Sequence, residues 1–230
     1  MKILIAIALA ATVALGAALP GAPAETAGAK AQATPTAAPA DAEVIRAQKP
    51  SYPLDTCVVS GEKLDAKAID VVIDGRLVRL CCADCKAAAE KDKAAVLAKI
   101  DAGVIAAQKP SYPLATCPDS GEMLTAKGEG YDVVYGTKLV RLCCKNCKSA
   151  FDKDPAASMA KVDKAWIDAQ LPTYPLETCP VSGEKLGGMG EPVNVLYGTK
   201  LIRLCCKSCK KAVDKDGPEL VAKIEAARKK

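Results

Sequence analysis

Cys179-Pro-Val-Ser-Gly-Glu184 and, further along, Leu204-Cys-Cys-Lys-Ser-Cys209 set the reading of this 230-residue chain. The same two pieces recur as Cys57-Val-Val-Ser-Gly-Glu62 with Leu80-Cys-Cys-Ala-Asp-Cys85, and as Cys117-Pro-Asp-Ser-Gly-Glu122 with Leu142-Cys-Cys-Lys-Asn-Cys147. These segments contain all twelve cysteines, and the chain has no histidine. Imidazole can therefore serve neither as ligand nor as base. Special chemistry falls to sulfur, as metal ligand, disulfide or reactive thiolate.

The lone cysteines lie 60 and 62 residues apart, and the text before them repeats: Gln48-Lys-Pro-Ser-Tyr-Pro-Leu-Asp-Thr, Gln108-Lys-Pro-Ser-Tyr-Pro-Leu-Ala-Thr and Gln170-Leu-Pro-Thr-Tyr-Pro-Leu-Glu-Thr. A fixed period of this kind signals tandem modules. The expected division is a leader at 1–24, an Ala/Pro-rich spacer at 25–40, and modules at 41–101, 102–163 and 164–230. Modules of about 60 residues bury only ~60% of their unfolded surface. With one Phe, one Trp and six Tyr in the chain, large side chains are scarce. Each module therefore calls for a covalent or metal staple.

Lys2, the apolar run Ile3 to Leu15 and Ala22-Pro-Ala24 have the form of a cleaved export signal. The apolar run is shorter than the ~20 residues of a membrane span. The reading is a periplasmic or secreted protein with no span after the leader is removed. Without Lys2 the chain has 31 Lys and Arg against 27 Asp and Glu, interspersed and with few aromatics. That pattern describes a solvated surface more often than a nucleic-acid footprint, and no nucleic-acid partner is expected.

Each module predicts the same elements, an α+β arrangement of knuckle turn, β-hairpin and helix, joined to the next by a helical linker. The Cys-x-x-Ser-Gly-Glu turn needs positive φ at Gly61, Gly121 and Gly183. β-Branched runs flank Asp74-Gly75 or a Tyr-Gly pair, a hairpin signal: Ile69–Ile73 with Arg76–Leu80, Tyr131–Tyr135 with Lys138–Leu142, and Val193–Tyr197 with Lys200–Leu204. A helix starts at each Cys-Cys pair and breaks before Asp154-Pro155 and Asp216-Gly-Pro218. Asp41 to Lys49 reads as a short helix stopped by Pro50. Met159, Val162 and Trp166 recur at helical spacing, which places Trp166 in a core. Cys57 to Cys81 is 24 positions, against 26 in the other modules. The simplest reading removes one residue from each side of the first hairpin's tip.

At a strand–helix junction, Cys81, Cys82 and Cys85 can converge near the helix N-terminus, where free N–H groups favour thiolates. The hairpin can return Cys57 to the same point, making a four-sulfur site. Cys117, Cys143, Cys144 and Cys147 repeat it, as do Cys179, Cys205, Cys206 and Cys209. Sulfur-only ligation suits soft ions, Zn(II) first and Cu(I) second, about one per module. Two disulfides per module are the competing use in an exported chain. Cys82-Ala-Asp-Cys85 and its copies also have Cys-x-x-Cys form at a helix start, as in thiol-disulfide oxidoreductases, but without the βαβ setting. Arg79, Arg141 and Arg203 offer thiolate neutralisation or solvent-facing strand charge. Tyr52, Tyr112 and Tyr174 are expected to pack the extended segment on the hairpin.

The order of a cysteine on a Cys-Pro-x-Ser-Gly turn, a hairpin and Cys-x3-Cys at a helix start resembles the TRASH and YHS metal-binding domains of the treble-clef group. The resemblance covers each module from the lone cysteine to the first helix. It implies Cys57, Cys81 and Cys85 as ligands, then Cys117, Cys143 and Cys147, then Cys179, Cys205 and Cys209. It also implies heavy-metal trafficking or sensing, with a plain structural finger as the other known use. Ser60, Ser120 and Ser182 stand where a treble-clef knuckle has a second cysteine, while Cys82, Cys144 and Cys206 are extra. The functional expectation is a non-enzymatic, exported protein that binds soft metal ions for delivery or sensing in the cell envelope, with a possible envelope protein partner. The alternative is an interaction scaffold whose metals or disulfides are structural.

Overall fold

The computed structural model describes residues 39–125 and 128–229. The expected leader and the spacer up to residue 38 lie outside the described residues. The elements are α1 (Pro39–Gln48), β1 (Ile69–Ile73), β2 (Arg76–Leu80), α2 (Ala83–Lys91), α3 (Lys93–Gln108), β3 (Tyr131–Tyr135), β4 (Lys138–Leu142), α4 (Lys145–Lys153), α5 (Ala156–Gln170), β5 (Val193–Tyr197), β6 (Lys200–Leu204) and α6 (Lys210–Arg228). The architecture is α+β, with three two-stranded antiparallel sheets and three cysteine clusters. Helix α1 starts at Pro39, so the last two residues assigned to the spacer are helical. It ends at Gln48, and Pro50 enters a 3-10 turn at Lys49–Ser51. Proline is tolerated in a first turn because its missing N–H has no helical partner there.

All three hairpins have five residues per strand and two in the turn, with the same register: Ile69 faces Leu80, Tyr131 faces Leu142 and Val193 faces Leu204. The first hairpin is therefore not trimmed at its tip. The two-residue difference lies between knuckle and first strand, residues 65–68 against 125–130 and 187–192. A two-residue turn leaves no room for deletion without breaking the ladder, whereas residues 65–68 and 187–192 are mostly exposed and belong to no strand. In the first turn, Asp74 and Gly75 both have positive φ, at 49° and 73°.

The second strand of each hairpin is buried on both faces. Val78 and Leu80 point into a cluster with Val96, Ile100 and Val104 of α3. The neighbouring Leu77 is also fully buried, on the side covered by α1. The arrangement repeats: Leu139 of β4 packs on the α3 side, within the first cluster, while Val140 and Leu142 join Phe151, Val162 and Trp166. Ile202 and Leu204 join Val213, Leu220 and Ile224 of α6. Each fully buried leucine contributes about 1.5–3 kcal/mol. The hairpin is thus held between the helix that precedes it and the helices that follow. Trp166 takes the predicted core position.

A glutamine at the end of each preceding helix closes the exposed edge of the second strand. Gln48 Oε1 accepts from Leu77 N–H at 2.9 Å, and its Nε2 donates to Gly75 C=O at 2.9 Å. Gln108 makes the same pair with Leu139 N–H and Thr137 C=O, and Gln170 with Leu201 N–H and Thr199 C=O. The side-chain amide stands in for a third strand at that position. Two residues further along the strand, Tyr52, Tyr112 and Tyr174 hydroxyls accept from the N–H of Arg79, Arg141 and Arg203, at 3.1–3.2 Å.

These contacts make the linkers shared supports. Helix α3 fills the first core with Val96, Ile100 and Val104, then pins the second hairpin with Gln108. Helix α5 does the same with Val162, Trp166 and Gln170. The expected boundaries at 101/102 and 163/164 fall inside these helices. Module tips also meet: Arg76 Nε donates to Gly136 C=O at 3.0 Å, and Thr137 Oγ1 donates to Gln48 C=O at 3.0 Å. Helix α6 kinks at the expected break, Asp216-Gly-Pro218: Asp216 leaves helical geometry (φ −114°, ψ 18°) and divides it into two helical pieces. Gly217 lies directly under the Tyr197 ring, where a Cβ would collide.

Gln108→Ala strands a buried N–H and C=O, so it is expected to lower unfolding stability by about 1–3 kcal/mol. Urea denaturation followed by circular dichroism measures this. A loss within error of zero would remove the glutamine from its supporting role.

Candidate metal centre

Each knuckle is a tight loop closed on the lone cysteine. Cys57 N–H donates to Glu62 C=O at 2.6 Å, Gly61 N–H donates back to Cys57 C=O at 2.8 Å, and Thr56 bridges Lys63. The loop closes only if residue 61 takes φ near 77°; Gly121 and Gly183 repeat it at 78° and 80°. Cys81 follows β2 directly, Cys82 is the N-cap of α2 in extended conformation, and Cys85 lies in the first turn. Cys143, Cys144 and Cys147 are placed identically around α4. In the third module Lys207–Cys209 is a 3-10 turn before α6, again with Cys206 as N-cap.

This geometry gathers three sulfurs in each module. Cys57, Cys81 and Cys85 lie within 4.8 Å of one another, as do Cys117, Cys143 and Cys147, and Cys179, Cys205 and Cys209. Cys81 and Cys85 are 3.6 Å apart, Cys143 and Cys147 3.7 Å, and Cys205 and Cys209 3.9 Å. A tetrahedral ion with metal–sulfur bonds near 2.3 Å separates its ligands by about 3.8 Å. A disulfide would bring two sulfurs to about 2.05 Å. The donor set and its spacing fit one soft ion per triad.

The fourth cysteines fall outside the mutual triads and touch them along one edge. Cys82 Sγ is 3.8 Å from Cys81, Cys144 is 3.6 Å from Cys147, and Cys206 is 3.7 Å from Cys205 and 3.8 Å from Cys209. Burial grades across the site. Cys57, Cys117 and Cys179 are at most 2% exposed. Cys82 is exposed, and Cys144 and Cys206 are half-buried.

Ser60, Ser120 and Ser182, at the position of the absent knuckle cysteine, place their hydroxyls 3.3–3.4 Å from Cys81, Cys143 and Cys205. Cys143 Sγ also donates to Glu122 Oε2 at 3.5 Å. Burial alone would raise the lone cysteines, but Ser60 Oγ–H and the N–H groups of Ser60, Cys81 and Val59 bring Cys57 down to about 6. The same donors around Cys117 and Cys179 bring them to about 7 and about 6. Cys81 is pushed up to about 12: the Ser60 hydroxyl lowers it, but the Glu62 carboxylate, burial and the neighbouring thiols outweigh that. The N–H of Cys85 heads the groups that lower Cys82.

One repeated contact has no cysteine in it. Lys99 Nζ donates to Val58 C=O at 3.3 Å, Lys161 to Pro118 C=O at 2.7 Å and Lys223 to Pro180 C=O at 3.1 Å. An ammonium from the long helix thus holds the carbonyl next to each knuckle cysteine. The sequence reading passed over these lysines, although their offset from the lone cysteine is nearly constant. The strand arginines are engaged inside the hairpin: Arg79 and Arg141 donate to Asp70 and Asp132 at 2.8 Å, and Arg203 to Asn194 at 3.3 Å.

Comparison with protein-family models, curated proteins and solved structures gives no match. The fold and its sites therefore define the class on their own terms: three cysteine-rich α+β modules, each with a sulfur triad at metal-binding distance. Among the described residues no helix is long and apolar enough to cross a membrane.

With no histidine present, cysteines dominate side-chain titration between pH 6 and 9. Folded values near 6 or 7 lie below the ordinary 9, so the lone thiolates stabilise the fold fully above pH 9. That contribution is lost as pH falls through 7 and 6. Raised groups such as Cys81 act oppositely, losing their contribution only as pH climbs from 9 towards 12. The urea midpoint of reduced, metal-free protein is expected to rise from pH 6 to pH 9. A falling midpoint over that interval would contradict the assignment.

Proposed function

We propose that this chain is an exported, non-enzymatic metal-binding protein that holds one soft ion in each of three sulfur sites for delivery or sensing in the cell envelope. The observation that carries the reading is the threefold recurrence of one sulfur triad at ligand spacing. Donors limited to sulfur select Zn(II), with Cu(I) second, and disfavour Mg, Ca or Mn. The resemblance of each knuckle, hairpin and Cys-x3-Cys junction to TRASH and YHS domains supports the same use. The export signal read at residues 1–24 supports a periplasmic or secreted location, where an envelope protein with its own sulfur ligands would be the partner.

Access through the fourth sulfurs supports an exchangeable ion, because Cys82 is exposed and Cys144 and Cys206 are half-buried beside largely buried triads. A second reading, ions as structural staples of an interaction scaffold, draws on a different observation. The triad cysteines belong to the same clusters as the hydrophobic cores, so losing the ion also loosens the packing.

Native mass spectrometry of protein purified without added metal is expected to show three ions lost on denaturation and twelve free thiols. Metal-free protein with six disulfides would refute the proposal. Cys117→Ser removes a buried ligand and is expected to reduce three bound ions to two, leaving the outer modules loaded. Retention of helical circular dichroism after chelation favours delivery, and unfolding favours the scaffold.

A further inference from the structure

We propose that Cys82, Cys144 and Cys206 are exchange sulfurs, through which each ion passes between its triad and an external thiolate ligand. This inference rests on the metal-binding reading above and assigns the direction of traffic at those sites. The three modules all set the fourth sulfur against the edge of the triad, though the triad member it touches differs. In each, the fourth sulfur contacts the triad through Cys81, Cys147, or the Cys205–Cys209 pair, at 3.6–3.8 Å. In each, it is the N-cap of the following helix, with φ between −153° and −158°. That extended backbone places it at the outer rim, while the lone cysteine is sealed at the opposite end.

The sealed end is built. The knuckle loop closes over Cys57 through its own backbone, and Lys99 ties the next carbonyl to α3. Lys161 and Lys223 repeat the tie on α5 and α6. An ion entering or leaving on the knuckle side would have to break these bonds. On the rim side it meets a thiol already at ligand distance from the triad.

The step is a ligand exchange with no change of oxidation state. As the ion moves outward, a metal–sulfur bond to Cys82 forms and the bond to Cys57 breaks. The Cys82 thiol gives its proton to solvent, and the vacated Cys57 sulfur can take one back. The ion keeps three sulfur ligands throughout, where a site without Cys82 must fall to two. A thiolate carrier can then replace the remaining ligands one at a time. The external partner is therefore a cysteine-bearing or small-thiol acceptor of soft ions.

The test uses the full chain, loaded with Zn(II), and the variant Cys82→Ser/Cys144→Ser/Cys206→Ser. Stoichiometry is read by native mass spectrometry, and transfer to a chromogenic chelator in the presence of glutathione by stopped flow. The expected result is three ions in both proteins and transfer at least tenfold slower in the variant. Equal or faster transfer overturns the proposal, as does a variant that binds fewer than three ions, which would make these sulfurs holding ligands. Failure of the wild-type chain to bind Zn(II) or Cu(I) would instead sink the metal-binding reading itself. Iodoacetamide mapping of the loaded wild-type protein gives an answer that does not depend on variant folding. Alkylation is expected first at Cys82, Cys144 and Cys206, and equal labelling of triad cysteines counts against the exchange role.

Discussion

The strand that ends at Leu80, and its copies ending at Leu142 and Leu204, constrains everything else in this chain. Its apolar residues are buried on both faces, and a one-residue slip would put Arg79 where Val78 and Leu80 pack. Its free edge is closed by a glutamine amide and a tyrosine hydroxyl from the preceding segment. The Cys-Cys pair follows without an intervening residue. Once the strand is seated, the sulfur positions are seated with it.

That coupling explains how small modules with few aromatics hold together. Helix α3 supplies the core of one module and pins the strand of the next, and α5 repeats the arrangement. Each hairpin is thus held by a helix before it and a helix after it, which compensates for the limited surface that about 60 residues can bury. The cysteines extend the same clusters outward, so each sulfur triad adjoins the core instead of sitting in a detached loop.

Much of this was legible in the residues. The order of the cysteines located three equivalent sites, and the glycine after each Cys-x-x-Ser marked a left-handed turn that the structure shows near 77–80°. The β-branched runs at 69–73 and 76–80 defined strands whose limits agree with the ladder. The two-residue difference between modules was misplaced because cysteine spacing counts residues without saying which segment is tied into hydrogen bonds. Gln48, Gln108 and Gln170 were visible as repeats, but their partners lie 27–31 residues away and no local pattern reveals them. Lys99, Lys161 and Lys223 were hidden for the same reason, among many helix lysines that face solvent. The reach of α3 into two modules was equally silent, since Val96, Ile100 and Val104 describe an apolar stripe but not which hairpin it meets.

The central claim is that sulfur alone surrounds one soft ion in each module. X-ray absorption at the metal edge of the loaded protein tests it directly. For zinc, a single shell of three or four sulfur scatterers near 2.3 Å is the predicted result. A shell dominated by oxygen or nitrogen would contradict it.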